Sequence, residues 1–88
     1  MGNHKRPELV KRVARIHGHI HAVKEMLDEG RPYDEVVHQI TAVRAALDGV
    51  NQLILDDLIE DCVAKMNKNE PFEESIVQLQ AVVSKMRK

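Results

Sequence analysis

Leu9, Val13, Ile16, Ile20, Val23 and Leu27 follow one another at alternating intervals of four and three residues, the spacing that lays side chains along one stripe of an α-helix. Pro7 suits a first helical turn, where a missing N–H forfeits no hydrogen bond, and Gly30 with Pro32 closes the segment. The spacing predicts helix one over residues 7–29. A second series, Val36, Ile40, Val43, Leu47, Val50 and Ile54, is continued by Leu55, Leu58, Ile59, Cys62, Val63 and Met66, with nothing to stop it before Asn67. Asp34 and Glu35 favour its start through the helix dipole. Such a helix of about 35 residues is roughly 52 Å long. Helix one, at roughly 34 Å, covers only part of it. A third segment begins at Asn69, Glu70 and Pro71, and Phe72, Ile76, Leu79, Val83 and Met86 form its stripe. These patterns predict an all-α, three-helix subunit with a long central helix. The central helix is too long for an 88-residue monomer to cover, so an antiparallel helical dimer is expected, with further association of dimers into a tetramer.

Composition narrows the class. Eighty-eight residues make a single domain, 1–88. With 43% hydrophobic and 31% charged residues and only short apolar runs, the chain fits neither a disordered tail nor a membrane protein. One Phe, one Tyr and no Trp leave core filling to aliphatic side chains, which favours helix-on-helix packing. One cysteine excludes an intramolecular disulfide framework, and no signal-peptide pattern opens the chain, so a cytoplasmic location is expected.

The net charge of −1 conceals a strong segregation. Within residues 1–24, Lys5, Arg6, Lys11, Arg12, Arg15 and Lys24 face a single acid, Glu8. Residues 25–62 reverse the balance, with ten acids against Arg31 and Arg44. Lys11, Arg12 and Arg15 project away from the apolar stripe of helix one, and a symmetric assembly would multiply them into a surface able to contact phosphates.

No phosphate-binding loop, nucleophile elbow or zinc-finger spacing is present, and no convergent acid, base and nucleophile can be named, so no enzymatic activity is expected. His17 and His21 lie one helical turn apart and could chelate a transition metal if a third ligand, such as His38, joined them. The plainer alternative is that both imidazoles flank the stripe at an interface; no cofactor is required. Gly18 inside a helix costs about 1 kcal/mol relative to Ala and suggests close helix approach or room for another backbone. Cys62, among Leu58, Ile59, Val63 and Met66, reads as a small buried hydrophobe.

Two stretches, Arg12-Val-Ala-Arg15-Ile-His-Gly18-His19 and Gln39-Ile-Thr-Ala-Val-Arg44-Ala-Ala-Leu47-Asp48, resemble the CsoR/RcnR family of copper- and nickel-sensing repressors across nearly the whole chain. The resemblance implies a three-helix subunit, an antiparallel dimer, a dimer-of-dimers tetramer and operator double-stranded DNA released when an effector binds. It gives Arg12 and Arg15 the DNA-contacting role, with Lys11 as neighbour and Arg44 as an addition. Its effector positions fall on Tyr33, Leu58 and Cys62. A phenol and an isobutyl group cannot replace a thiolate and an imidazole around Cu(I), so the usual copper site is not expected. The expected function is a DNA-binding repressor with an unidentified effector; the alternative is a helical protein-interaction module of the same descent that no longer binds DNA.

Overall fold

In the computed structural model, which describes residues 4–87, the three predicted segments form α1 (Arg6–Asp28), α2 (Tyr33–Asn67) and α3 (Glu73–Met86). The central helix has the predicted 35 residues. Both of its flanking turns depend on a residue in the left-handed region. Gly30, at φ 74°, lets its own N–H reach the Leu27 carbonyl at 3.1 Å and the Arg31 N–H reach Met26 at 3.0 Å, which satisfies the last carbonyls of α1. Asn69, at φ 58°, repeats the arrangement after α2, with bonds from Asn69 to Met66 and from Glu70 to Lys65. That turn corrects the expected start of the third helix. Asn69 is left-handed, and Pro71 disfavours helical geometry at Glu70, so α3 begins at Glu73 rather than at Asn69–Pro71. Glu73 and Glu74 then stand at the positive end of its dipole.

α1 folds back along the first half of α2, and α3 along the second half, so both rest on α2 but not on each other. The buried seam between α1 and α2 runs at intervals of seven: Ile16 and Val23 meet Val36, Val43 and Val50, with Leu9, Met26 and Ile54 packed against them. The remaining members of the predicted stripes form a second series of the same period. Val13, Ile20, Leu27, Ile40 and Leu47 are each between 43% and 49% exposed. A step of four residues turns a helix by about 40°. In two antiparallel helices that rotation carries both series to the same side of the pair, where Val10 and Val37 also lie exposed. The subunit is therefore a slab, 58 × 26 × 13 Å, with a radius of gyration of 17.3 Å; a compact domain of this length has about 12 Å. One long side of the slab is apolar and uncovered.

A polar latch ties α3 to α2. Ser75, 1% exposed, donates its hydroxyl to Asp61 Oδ2 at 2.8 Å, and Lys65 Nζ donates to Ser75 Oγ at 3.1 Å while lying 3.4 Å from Asp61 Oδ2. The Ser75 hydrogen bond, outweighing partial desolvation, holds the Asp61 carboxyl below its ordinary value of 3.8. Desolvation pulls Lys65 down, but the bond to Asp61 leaves it above 10.5. A carboxylate with a depressed folded pKa stabilises the fold above its unfolded pKa and loses that contribution as pH falls through the folded value. Ser75→Ala should therefore cost about 1–2 kcal/mol at pH 7. Thermal unfolding followed by circular dichroism should show the gap between variant and wild type narrowing below pH 3.8; a gap independent of pH would refute the latch.

Candidate functional site

On the side of the slab opposite the exposed apolar series, Arg12, Arg15 and His19 of α1 and Ala45, Ala46 and Gly49 of α2 line an open groove. The small residues of α2 form its floor and the arginines its rim. Arg12 lies across that floor: its Nη1 is 3.8 Å from the place a Cβ on Gly49 would occupy, ordinary contact distance, so an alanine there would fit beneath the guanidinium without displacing it. Glu8 Oε2 accepts bonds from Arg12 Nε at 3.2 Å and Nη2 at 3.1 Å, one turn away. This exposed pair orients Arg12 without neutralising the patch, since Arg15 and Lys11 stand beside it in solvent. His19 and Gln39, partly buried, are joined by a 2.7 Å hydrogen bond between Nε2 and Oε1. That bond crosses from α1 to α2 and ties His19, which lines the groove, to the neighbouring helix.

Lys11, Arg12 and Arg15 thus fall on one stretch of α1. Arg44 does not join them. It is exposed, four residues after Ile40 and three before Leu47, which places it on the apolar side of the slab. A second subunit would have to carry it to any surface shared with Arg12.

The three effector positions are also separated. Tyr33 is the first residue of α2 and 78% exposed, whereas Leu58 and Cys62, one turn apart, are buried near the other end. Tyr33 and Cys62 are twenty-nine positions apart along the helix, roughly 44 Å at a rise of about 1.5 Å per residue. Within one subunit they cannot converge; an antiparallel second copy would bring one end of α2 to the other. The donors present are a phenol, a thiol and no nitrogen at all. They do not fit a Cu(I) site, which asks for soft sulfur and imidazole ligands.

His17 and His21 are exposed on α1, with His21 Nε2 3.8 Å from Glu25 Oε2, and His38 is exposed on α2. Among the described residues no group of three or more histidine, cysteine or carboxylate side chains gathers closely enough to hold a metal ion. The subunit does not supply His38 as the third ligand to the histidine pair. Gly18 also departs from expectation: a Cβ there would meet nothing within 4 Å, so no helix of the same subunit approaches it. Gly18→Ala should then raise stability by about 1 kcal/mol through helix propensity. A lowered melting temperature would instead show a second subunit's backbone against Gly18.

Sequence reasoning passed over Gly49 and the bond between His19 and Gln39. The signal for the second was present, since each residue belongs to one of the two stretches that carry the family resemblance. Among the described residues no helix is long and apolar enough to cross a membrane.

A family model described as "Metal-sensitive transcriptional repressor" matches residues 5–86. The chain is 31% identical to the copper-sensing transcriptional repressor CsoR of Bacillus subtilis (strain 168) over 90 aligned residues, covering 98% of this chain and 89% of that protein. It is also similar to the solved structure entitled "The nickel-responsive transcriptional regulator InrS", with a TM-score of 0.78, 40% sequence identity and coverage of 90% of this chain and 89% of that one.

Proposed function

Because the chain belongs to the metal-sensitive transcriptional repressor family, we propose that it is a homo-oligomeric repressor that binds operator duplex DNA through Lys11, Arg12 and Arg15 and releases it when an effector binds. The observation that carries this reading is the opposition of two sides of one slab. The basic groove lies on one side and the uncovered apolar series on the other. Pairing two copies by their apolar sides leaves both basic grooves facing outward, free to meet phosphates. Arg44, on the apolar side, contributes only at an edge of the assembly. The family's description as transcriptional repressors supports reading this chain as a regulator that acts in the cytoplasm, and not as an enzyme.

Phosphate contacts release counterions, so the logarithm of affinity should fall linearly with the logarithm of salt concentration, with a slope of about −0.9 per phosphate contacted. Gel shifts on fragments of the protein's own promoter at several salt concentrations test the reading. A steep slope supports it. Failure on every fragment would favour the protein-interaction module.

The effector is a separate matter. Copper and nickel are what the two relatives' names attach to them, but Leu58 offers no donor, and Cys62 is buried in an aliphatic neighbourhood. Competition of the reduced protein against a Cu(I) chelator should show no tight binding that depends on Cys62; tight binding abolished by Cys62→Ala would overturn this. Zn(II) or Ni(II) binding lost in His17→Ala and His21→Ala but kept in Cys62→Ala would instead place the metal on α1, with the third ligand from another subunit.

A further inference from the structure

Where a lysine or arginine of the described chain stands four residues from an acid, the two heads come within reach of each other. Glu8 with Arg12, Lys24 with Asp28, Arg31 with Glu35 and Asp61 with Lys65 all close into ion pairs, at 2.5 to 3.4 Å. Arg44 and Asp48 are the exception. Both are exposed near the middle of α2, and neither makes a side-chain hydrogen bond or ion pair with another described residue. Arg44 follows Val37 by seven residues, about two turns, and Asp48 follows it by eleven, about three, so both lie in the row of Val37 on the uncovered apolar side. Tyr33 extends that row before Val37, and Leu55 and Ile59 extend it after Asp48. Tyr33, Val37 and Ile59 are 78%, 58% and 42% exposed, and Leu55 is half-buried. The intervals along the row are four, seven, four, seven and four, so it reads the same from either end about residue 46, with opposite charges at its centre and apolar residues outside them.

A two-fold axis lays the same surface of two chains against itself, so a row with this symmetry is its own complement when the second helix runs antiparallel. We propose that α2 pairs with α2 of a second copy in the register centred on residue 46, where Arg44 of each chain forms an ion pair with the partner's Asp48. The proposal rests on the homo-oligomer reading above and adds to it the residues that choose the partner and the alignment. In this register Val37 meets the partner's Leu55, and Tyr33 meets the partner's Ile59, so apolar contacts flank the charges on both sides. Slippage is penalised in either direction. One turn one way sets Arg44 opposite the partner's Arg44, and one turn the other way sets Asp48 opposite the partner's Asp48. Like charges facing each other across an interface cost affinity, so the couple that attracts in one alignment repels in its two neighbours. Because Arg44 and Asp48 are not paired within the subunit, both enter the interface without a contact to break.

Charge reversal in the full-length chain tests the pairing. Arg44→Glu alone sets two acids against each other twice per dimer, and Asp48→Lys alone sets two bases, so each variant should associate about tenfold more weakly per repulsive pair. Light scattering of the two variants mixed in equal amounts should return the wild-type mass. The introduced carboxylate of one chain then meets the introduced ammonium of the other, and the native Asp48 meets the native Arg44. Repulsion inside each helix is the same in the mixture as in its parts and cannot produce this recovery. The chain carrying both reversals should associate like the wild type but exclude it: after the two are refolded together, native mass spectrometry should find assemblies with an odd number of variant chains about tenfold below their statistical share. Should a single reversal unfold the chain, this second comparison decides by itself. Statistical mixing of the doubly reversed chain with wild type, folded single variants that assemble as tightly as wild type, or a mixture of folded single variants no better assembled than its parts would each overturn the register while leaving the oligomer in place. A monomeric wild type would overturn the assembly and the register together.

Discussion

Replacement of Leu47 by Asp should convert the oligomer to monomer or precipitate it, while light scattering of the wild type gives a tetramer, or at minimum a dimer. Leu47 is 43% exposed in the subunit, so the substitution places its carboxylate partly outside the packing of α1 on α2. It acts where a second copy would cover the apolar side. An unpaired carboxylate taken out of water there costs several kcal/mol, and two-fold symmetry places the lesion in both copies. Even about 3 kcal/mol weakens association more than a hundredfold. An unchanged molecular mass for Leu47→Asp would remove the apolar side from the interface, and a well-folded wild-type monomer at micromolar concentration would remove the assembly altogether.

Charge reversal on the groove should have an effect of comparable size on a different quantity. Arg12→Glu and Arg15→Glu together should abolish the gel shift while leaving the oligomer's mass and helicity unchanged. Arg15 is exposed, and the Arg12–Glu8 pair is exposed and weak. Each reversal removes one cation and adds one anion per subunit, and a symmetric assembly repeats the change in every copy that faces the duplex. The salt slope serves as the internal check: single reversals should reduce its magnitude as well as the affinity. Retained binding with an unchanged slope would move the DNA surface away from α1.

The number and length of the helices were legible because apolar spacing at a period near 3.6 is read residue by residue. The division of labour within each stripe was not. Leu9, Val13, Ile16, Ile20, Val23 and Leu27 look alike along the chain, yet the structure buries Ile16 and Val23 and leaves Val13, Ile20 and Leu27 at the surface. That choice depends on how α1 is rotated against α2, which no single helix encodes. The start of α3 was misplaced for a local reason: a left-handed Asn69 looks from composition like the helix cap it precedes. In the groove, the arginines were found from charge alone, but Gly49 and the bond between His19 and Gln39 exist only once the two helices are in register. The place of Asp48 escaped notice because one acid among the ten of residues 25–62 looks like any other until the uncovered side of α2 is known.

The four-residue connection formed by residues 29–32 has a kinetic consequence. A short link between antiparallel helices brings partners such as His19 and Gln39 together after closure of a small loop, and contacts this local form on the microsecond to millisecond scale. Covering the apolar side requires a collision between two chains, and that step slows in proportion to dilution. If the proposed assembly holds, a newly synthesised chain should reach the hairpin quickly and wait there, with its uncovered series open to proteases, for as long as partners are scarce. Refolding at decreasing protein concentration should separate a constant fast phase from a slow phase that lengthens with dilution, and the lifetime of the protein in the cell should rise with its own abundance.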